Sequence, residues 1–378
     1  MNSINTSLLS AVVLGTITTA GMAADTSGDA VDSRVVPEVY VIPLKGQMGT
    51  DIHPSIYEEI VEDVSKENPD IIVFELESAD INKIDYLSDD DRREYGSRDI
   101  GQYRGLVKML REELGNARQV MWVTDSVGFS SLVALAWEDI YINSNGRLGG
   151  LVRMMELTQH PDEEVRRKFR EAVIGIGNGF LETGGRPREL GLAMMRPEMA
   201  LSVSFKGRDM VWDNDTNGHW VVDGSSKRTA SFPAQLAEDT GIAEGTADTL
   251  DDLVFLLGYR EYVNNESGKK IVDDYRENWR RTFERCGEWY MDYQQQLGWA
   301  TGEDTVKYLG AAKNSLEKIL AAMRKYPAIE LRVRMEFGVS ALDLEVEIEK
   351  IKEQLRGLKG SQRRGSGGRK GGGGFGGL

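Results

Sequence analysis

The sequence predicts an α/β domain followed by an all-helical extension, and three observations carry that prediction. Short apolar runs alternate with amphipathic helical stretches from Val39 to Leu257, every apolar stripe after Gly258 falls at helical spacing, and the final segment is rich in glycine. At 378 residues, 40% apolar and 28% charged, the chain is long enough for a large core and has the composition of a water-soluble globular protein.

The N-terminus opens with a 13-residue apolar run from Leu8 to Ala20, followed by Gly21, Met22 and Ala23, with small residues where a signal peptidase reads. This predicts a signal peptide over 1–23, lacking a basic n-region, and a polar linker over 24–35. Export to the periplasm or beyond the cell follows from it. The mature chain contains no apolar stretch of the ~18–20 residues that a spanning helix needs.

The α/β domain is expected over 36–258. Val39 to Leu44 reads as its first strand, and Pro54 opens a helix with Ile56, Ile60, Val61 and Val64 on one face. Ile71 to Leu76 is almost wholly apolar, as a strand covered on both faces must be. A charged excursion from Glu77 to Gly101 leads to a helix carrying Tyr103, Leu106, Val107, Leu110 and Leu114. Gln119 to Thr124 is the third strand, Gly128 to Trp137 a buried helix of small residues, and Asp139 to Ile142 the fourth strand. A long helix follows with Val165, Phe169, Ala172, Val173, Ile176 and Phe180 as its inner face.

Alternation from Val203 to Val222 around Asn217 and Gly218 predicts a β-hairpin. Pro233 to Gly241 reads as a short helix closed by glycine, Ile242 to Gly245 as a brief strand, and Thr249 to Leu257 as a helix ending at Gly258.

Over 259–356 the apolar residues fall into three heptad-like stripes. The first runs Val272, Tyr275, Trp279, Thr282, Cys286, Trp289 and Tyr293; the second runs from Leu309 through Leu316 and Ile319 to Tyr326; the third runs from Ala341 through Leu344 and Ile348 to Leu358. Each spans about three heptads, enough for helices that pack on a partner or on each other.

The last segment, 357–378, holds eleven glycines, five cations (Lys359, Arg363, Arg364, Arg369, Lys370) and no acid, so disorder is expected. Taking its +5 from the total of −15 leaves −20 on the rest, which excludes a body that wraps nucleic acid but leaves the tail free to touch an anionic partner. One cysteine, Cys286, and three histidines, His53, His160 and His219, exclude an intrachain disulfide and a Cys/His zinc cluster. Cys286 sits in an aromatic-rich helical stretch and reads as a packed thiol. Asp213, Asp215 and Asn217, ahead of Gly218, have the D-x-D-x-N-G start of a calcium loop, but Gly224 stands where the bidentate Glu belongs, and a hairpin turn is the competing reading. No cofactor is implied.

Six segments in order carry a family resemblance. They are VYVIPLKGQMG over 39–49, IIVFEL over 71–76, LVALAWEDIYI over 132–142, LGG over 148–150, LETGGRP over 181–187 and FPAQLAEDTGIA over 232–243. Over about 220 residues this order resembles the ClpP/crotonase superfamily, especially signal peptide peptidase A and the NfeD-type membrane-associated serine proteases. The resemblance implies an α/β core of repeated ββα units, an extended peptide as ligand, and assembly into homo-oligomers through helical extensions.

The family's chemistry needs a serine nucleophile, a neutral lysine base and backbone N–H groups for the oxyanion. Counting back from Glu138 and Asp139, the nucleophile position falls on Gly128; counting back from Gly185 and Arg186, the base position falls on Asn178. The oxyanion glycine pair is matched by Ala79 and Asp80. The expectation is therefore a catalytically degenerate member acting in peptide binding or assembly. The alternative is an active endopeptidase in which a small shift of register makes Ser126, Ser130 or Ser131 the nucleophile and Lys168 the base, which would require a pocket that lowers the lysine's pKa.

Overall fold

The computed structural model describes residues 36–78, 97–114, 117–151, 160–207 and 209–367. The expected signal peptide and linker, Ala79 and Asp80, and the tail beyond Gly367 lie outside them.

A parallel sheet forms first. Strands β1 (Glu38–Lys45), β2 (Ile71–Ser78) and β3 (Arg118–Val127) lie side by side with helices α1 (Pro54–Glu67) and α2 (Ser97–Glu113) between them in sequence. Helix α3 (Phe129–Ala134) then leads to β4 (Ile140–Ile142) beside β3. The apolar runs alternate between two cores, as a strand buried on both faces requires. Tyr40, Ile42, Phe74 and Met121 face the helices α1 and α2, whereas Val41, Val73, Val120 and Trp122 face the opposite layer. That second layer is closed by α7 (Leu250–Leu256), whose Thr249 and Asp252 form a reciprocal capping box, and Trp122 Nε1 donates to the Ala247 carbonyl at 2.9 Å.

The chain continues through β5 (Arg147–Gly149), α4 (Glu163–Thr183) and α5 (Arg188–Met195), then an antiparallel trio of β6 (Leu201–Lys206), β7 (Asp209–Asp213) and β8 (Trp220–Asp223). Next come β9 (Ser231–Pro233), α6 (Ala234–Asp239) and β10 (Gly245–Thr246). The main path of the sheet runs β10-β4-β3-β2-β1, and β5 joins β3 to the antiparallel β9.

The trio corrects the hairpin reading. β6 lies between β7 and β8, so Asn217 and Gly218 belong to a connection that crosses over β6, and the tight turn is instead at Gly207, with φ +68°. An Asn-Gly pair supplies a turn in either topology; only the pairing partner differs. The brief strand expected over Ile242 to Gly245 begins later, at Gly245, where pairing with Tyr141 starts. Helix α4 buries Val173 and Phe180, but Phe169 in its first half is 41% exposed and Ala172 is exposed too, because no described element covers that half.

Beyond Gly258 the chain first adds β11 (Val263–Asn265), a parallel strand on the outer side of β1. Four helices follow: α8 (Ser267–Trp299), α9 (Thr305–Lys325), α10 (Pro327–Phe337) and α11 (Ala341–Gly367). The three stripes meet in one core containing Trp279, Cys286, Leu316, Ile319, Leu344 and Ile348. The apolar stripes thus pack on one another within a single chain. Helix α11 also carries on through Gly367, past the point where glycine content predicts disorder, as a continuous helix can propagate beyond its last packed residue once nucleated. Among the described residues no helix is long and apolar enough to cross a membrane.

Candidate functional site

The position matched to the family nucleophile sits where β3 turns into α3. Register places Ser126 of β3 opposite Ser78 of β2 on one side and Leu148 of β5 on the other, so the chain leaves the sheet flanked by strands. The turn is made by Gly128 alone, with φ +84° and ψ −134°, backbone that side-chain-bearing residues adopt only under strain. A sharp strand-to-helix turn of this kind is what exposes a nucleophile in hydrolases that use one. Here it exposes no side chain. A Cβ at Gly128 would meet only Leu151 Cδ1, at 3.8 Å, so it is backbone conformation and not crowding that favours glycine. The Gly128 N–H donates to the Gly149 carbonyl at 3.0 Å and is therefore committed within the fold.

Behind this turn three hydroxyls form a chain. Ser131 Oγ donates to Ser126 Oγ at 3.1 Å, Ser126 and Ser130 Oγ are 2.7 Å apart, and Ser130 Oγ donates to the Ser78 carbonyl at 3.0 Å. Read in that direction, each hydroxyl spends its one proton on the next acceptor, and the last ties α3 to the end of β2. All three serines are buried, at 0 to 1% exposure. Burial without partners would be costly, so this chain satisfies what the close packing of α3 against the sheet demands.

Asn178 lies on α4, half-buried, facing α5. A Cβ at Gly191 would come within 2.5 Å of its Oδ1, and a Cβ at Gly177 would collide with Met195, so α4 and α5 touch closely because both positions are glycine. Asn178 Oδ1 is buried without a hydrogen-bond partner. Lys168 stands ten residues earlier on the same helix, about 15 Å along its axis. Its side chain is 68% exposed and pairs with Glu164 at 3.0 Å. The structure thus holds Ser126, Ser130 and Ser131 in a dry cluster and Lys168 in solvent.

The glycine turn beside the site is tightly held. A Cβ at Gly150 would lie 2.6 Å from the carbonyl oxygens of Met194 and Ala230, and the Leu151 N–H donates to Met194 at 2.7 Å. Arg186, in the LETGGRP segment, donates to the carbonyls of Glu138 and Gly241 at 2.7 and 3.0 Å, binding three loops; burial pushes its pKa down. Asp215, one of the calcium-loop residues, accepts from the N–H and the amide of Asn217 and from Ser202, and these bonds hold its carboxyl below the usual range. Asp213 is the last residue of β7. Among the described residues no three His, Cys, Asp or Glu side chains converge as a metal site.

One charged cluster escaped the sequence reading. Asp51, fully buried in the β1–α1 loop, accepts from Arg280 at 2.9 Å, lies 3.5 Å from Arg276 and accepts from its own loop at the Gln47 N–H. These arginines come from α8, so the ion cluster fastens the helical extension to the loop that follows β1. No local pattern could have announced a pairing across 229 residues.

No protein-family model matches the chain, and no curated protein matches it. Solved structures similar to it over part of its length include two of one protease. One is the 1510-N membrane-bound stomatin-specific protease, a lysine-to-alanine mutant in complex with a substrate peptide, 13% identical with a TM-score of 0.37 over 58% of this chain and 80% of that one. The other is a serine-to-alanine mutant of the same protease, 13% identical with a TM-score of 0.37 over 60% of this chain and 92% of that one.

Proposed function

We propose that this protein is an exported, ClpP/crotonase-like relative of the serine proteases that has lost its catalytic groups and works as a peptide-binding or assembly module. The observation that carries the reading is the glycine turn at Gly128: the backbone of a nucleophile-bearing turn with no side chain on it. Two further observations support it. Every proton of the neighbouring serine chain has an acceptor, and Lys168, the one base candidate, stands exposed in solvent paired with Glu164, away from the serines. A serine protease that loses nucleophile or base loses about six orders of magnitude in kcat, so such a chain binds substrates without turning them over. An extended peptide added to a strand edge is the ligand this reading assigns.

The test uses fluorescein-labelled casein and the full chain. Rising anisotropy with casein remaining intact on a gel after overnight incubation is the expected result. Cleavage that disappears in Ser126→Ala, Ser130→Ala or Ser131→Ala would instead establish the active endopeptidase.

A further inference from the structure

We propose that the loop from Gly46 to Ile52 is a joint through which the helical extension sets the shape of the Gly128 turn, with Asp51 as the positioning residue. The proposal rests on the peptide-binding reading for what the turn does, and it gives the extension a regulatory hold over that site.

Connecting loops run over the surface because burial strands their backbone polar groups. This one is buried, with Gln47, Met48, Thr50, Asp51 and Ile52 all at most 5% exposed. It satisfies much of its own backbone: the Gln47 carbonyl accepts from the N–H groups of Thr50, Asp51 and Ile52 at 3.3, 3.0 and 3.1 Å, and the Asp51 carboxylate accepts from the Gln47 N–H at 3.2 Å. What the loop does not supply is a cation for Asp51. Arg276 and Arg280 of α8 supply it, so the closed form of the loop depends on α8 being in place, because a buried carboxylate that loses its cations is left uncompensated.

Two cores meet at this loop. Among the described residues the sheet core and the extension core have only the partly buried Tyr275 in common, and the loop bridges them. Gly49, at φ +93°, lies between the two sides: a Cβ there would be 3.6 Å from Leu331 of α10 and 3.2 Å from the Tyr103 hydroxyl of α2. The Tyr103 ring faces Phe129 with centroids 6.2 Å apart, and Phe129 meets Phe180 of α4 edge-on at 5.9 Å. Phe129 is the residue after Gly128. The turn has no side chain of its own, so its position answers to this ring. Contacts therefore run unbroken from Arg280 through Asp51, Gly49 and Tyr103 to the turn, the kind of contiguous path along which packing changes are passed. A second tie runs along the sheet, where the Gly46 N–H donates to the Glu77 carbonyl at 2.9 Å, one residue before the Ser78 carbonyl that accepts from Ser130.

Hydrogen exchange read by mass spectrometry on the full chain tests this in segment 124–134, which carries the Gly128 N–H bonded to Gly149. Arg276→Gln/Arg280→Gln leaves Asp51 buried without its cations and should speed exchange there at least about tenfold, while segment 309–323 of α9 keeps its wild-type rate. Adding Asp51→Asn removes the stranded charge and should bring the rate back toward wild type, a reversal that loss of packing alone does not produce. Tyr103→Leu keeps apolar volume but breaks the ring contact with Phe129, so it should abolish the response of 124–134 to the arginine variant and leave the response of the 46–52 loop intact. Labelled casein should bind the arginine variant about tenfold more weakly and the triple variant nearly as well as wild type. Exchange needs no ligand, so it judges the joint whether or not casein is captured. A wild-type rate at 124–134 in the arginine variant, an equal acceleration in α9, or no reversal by Asp51→Asn would each overturn the proposal, and casein capture by wild type would survive all three.

Discussion

The end of β3 and the helical extension are built on opposite principles. Around Gly128 the residues are small and polar, and their identities answer to backbone: a positive φ, a carbonyl 2.6 Å away from where a Cβ at Gly150 would lie, three hydroxyls in sequence. In the extension, large apolar side chains at regular spacing fill one core with Trp279, Leu316 and Ile348. The first region is a sharp strand-to-helix turn whose glycines and serines have structural work of their own. The second is held mainly by burial, with Arg276 and Arg280 tying it to Asp51, and its core would tolerate volume-conserving apolar swaps at small cost.

The largest effect expected concerns the thiol of the extension. Burial pushes Cys286 up to about 12, so at neutral pH its thiolate is scarce and no reagent reaches it. Iodoacetamide should label the native protein at least about a thousandfold more slowly than a free cysteine, and label it fully in denaturant. Fast native labelling would show that the extension opens independently of the core. At the strand end, Gly150→Ala should cost about 3 kcal/mol or more in urea denaturation, since the clash is with backbone carbonyls that cannot swing away. Ser126→Ala removes the middle of the hydroxyl chain, leaving Ser131 without its acceptor, and should cost about 2 kcal/mol. A neutral result at Ser126 would break the contrast between the two regions.

The smallest effect is a pH dependence. The folded pKa of Asp215 is lowered by its hydrogen bonds to Asn217 and Ser202, so its contribution to stability is present above the unfolded value and is lost as pH falls through the folded one. The urea midpoint should therefore drop below about pH 4, and Asp215→Asn should flatten that drop slightly. An unchanged acid slope in the variant would remove Asp215 from this role.

Much of the fold is legible in the sequence for a physical reason. Strands such as Ile71 to Leu76, covered on both faces, must be almost wholly apolar, and helices that pack on one another must repeat their apolar residues. The missed strand β11 is three residues long with Val263 55% exposed, so it has no pattern to read. The outward half of α4 looked buried because Val165 and Phe169 continue the spacing of residues that are. Around the site, Gly128 was found through resemblance to a motif, but its role as the only residue comfortable at that φ belongs to the backbone. The serine chain and the Asp51 cluster depend on partners brought together by topology, which no local window contains.

The most direct test of a turn that carries no nucleophile is intact-mass analysis of the chain after exposure to a fluorophosphonate. The mass is expected to be unchanged, in wild type and in Ser126→Ala, Ser130→Ala and Ser131→Ala alike. A single covalent adduct that is lost in one of those variants would show an activated serine at the end of β3 and contradict the account.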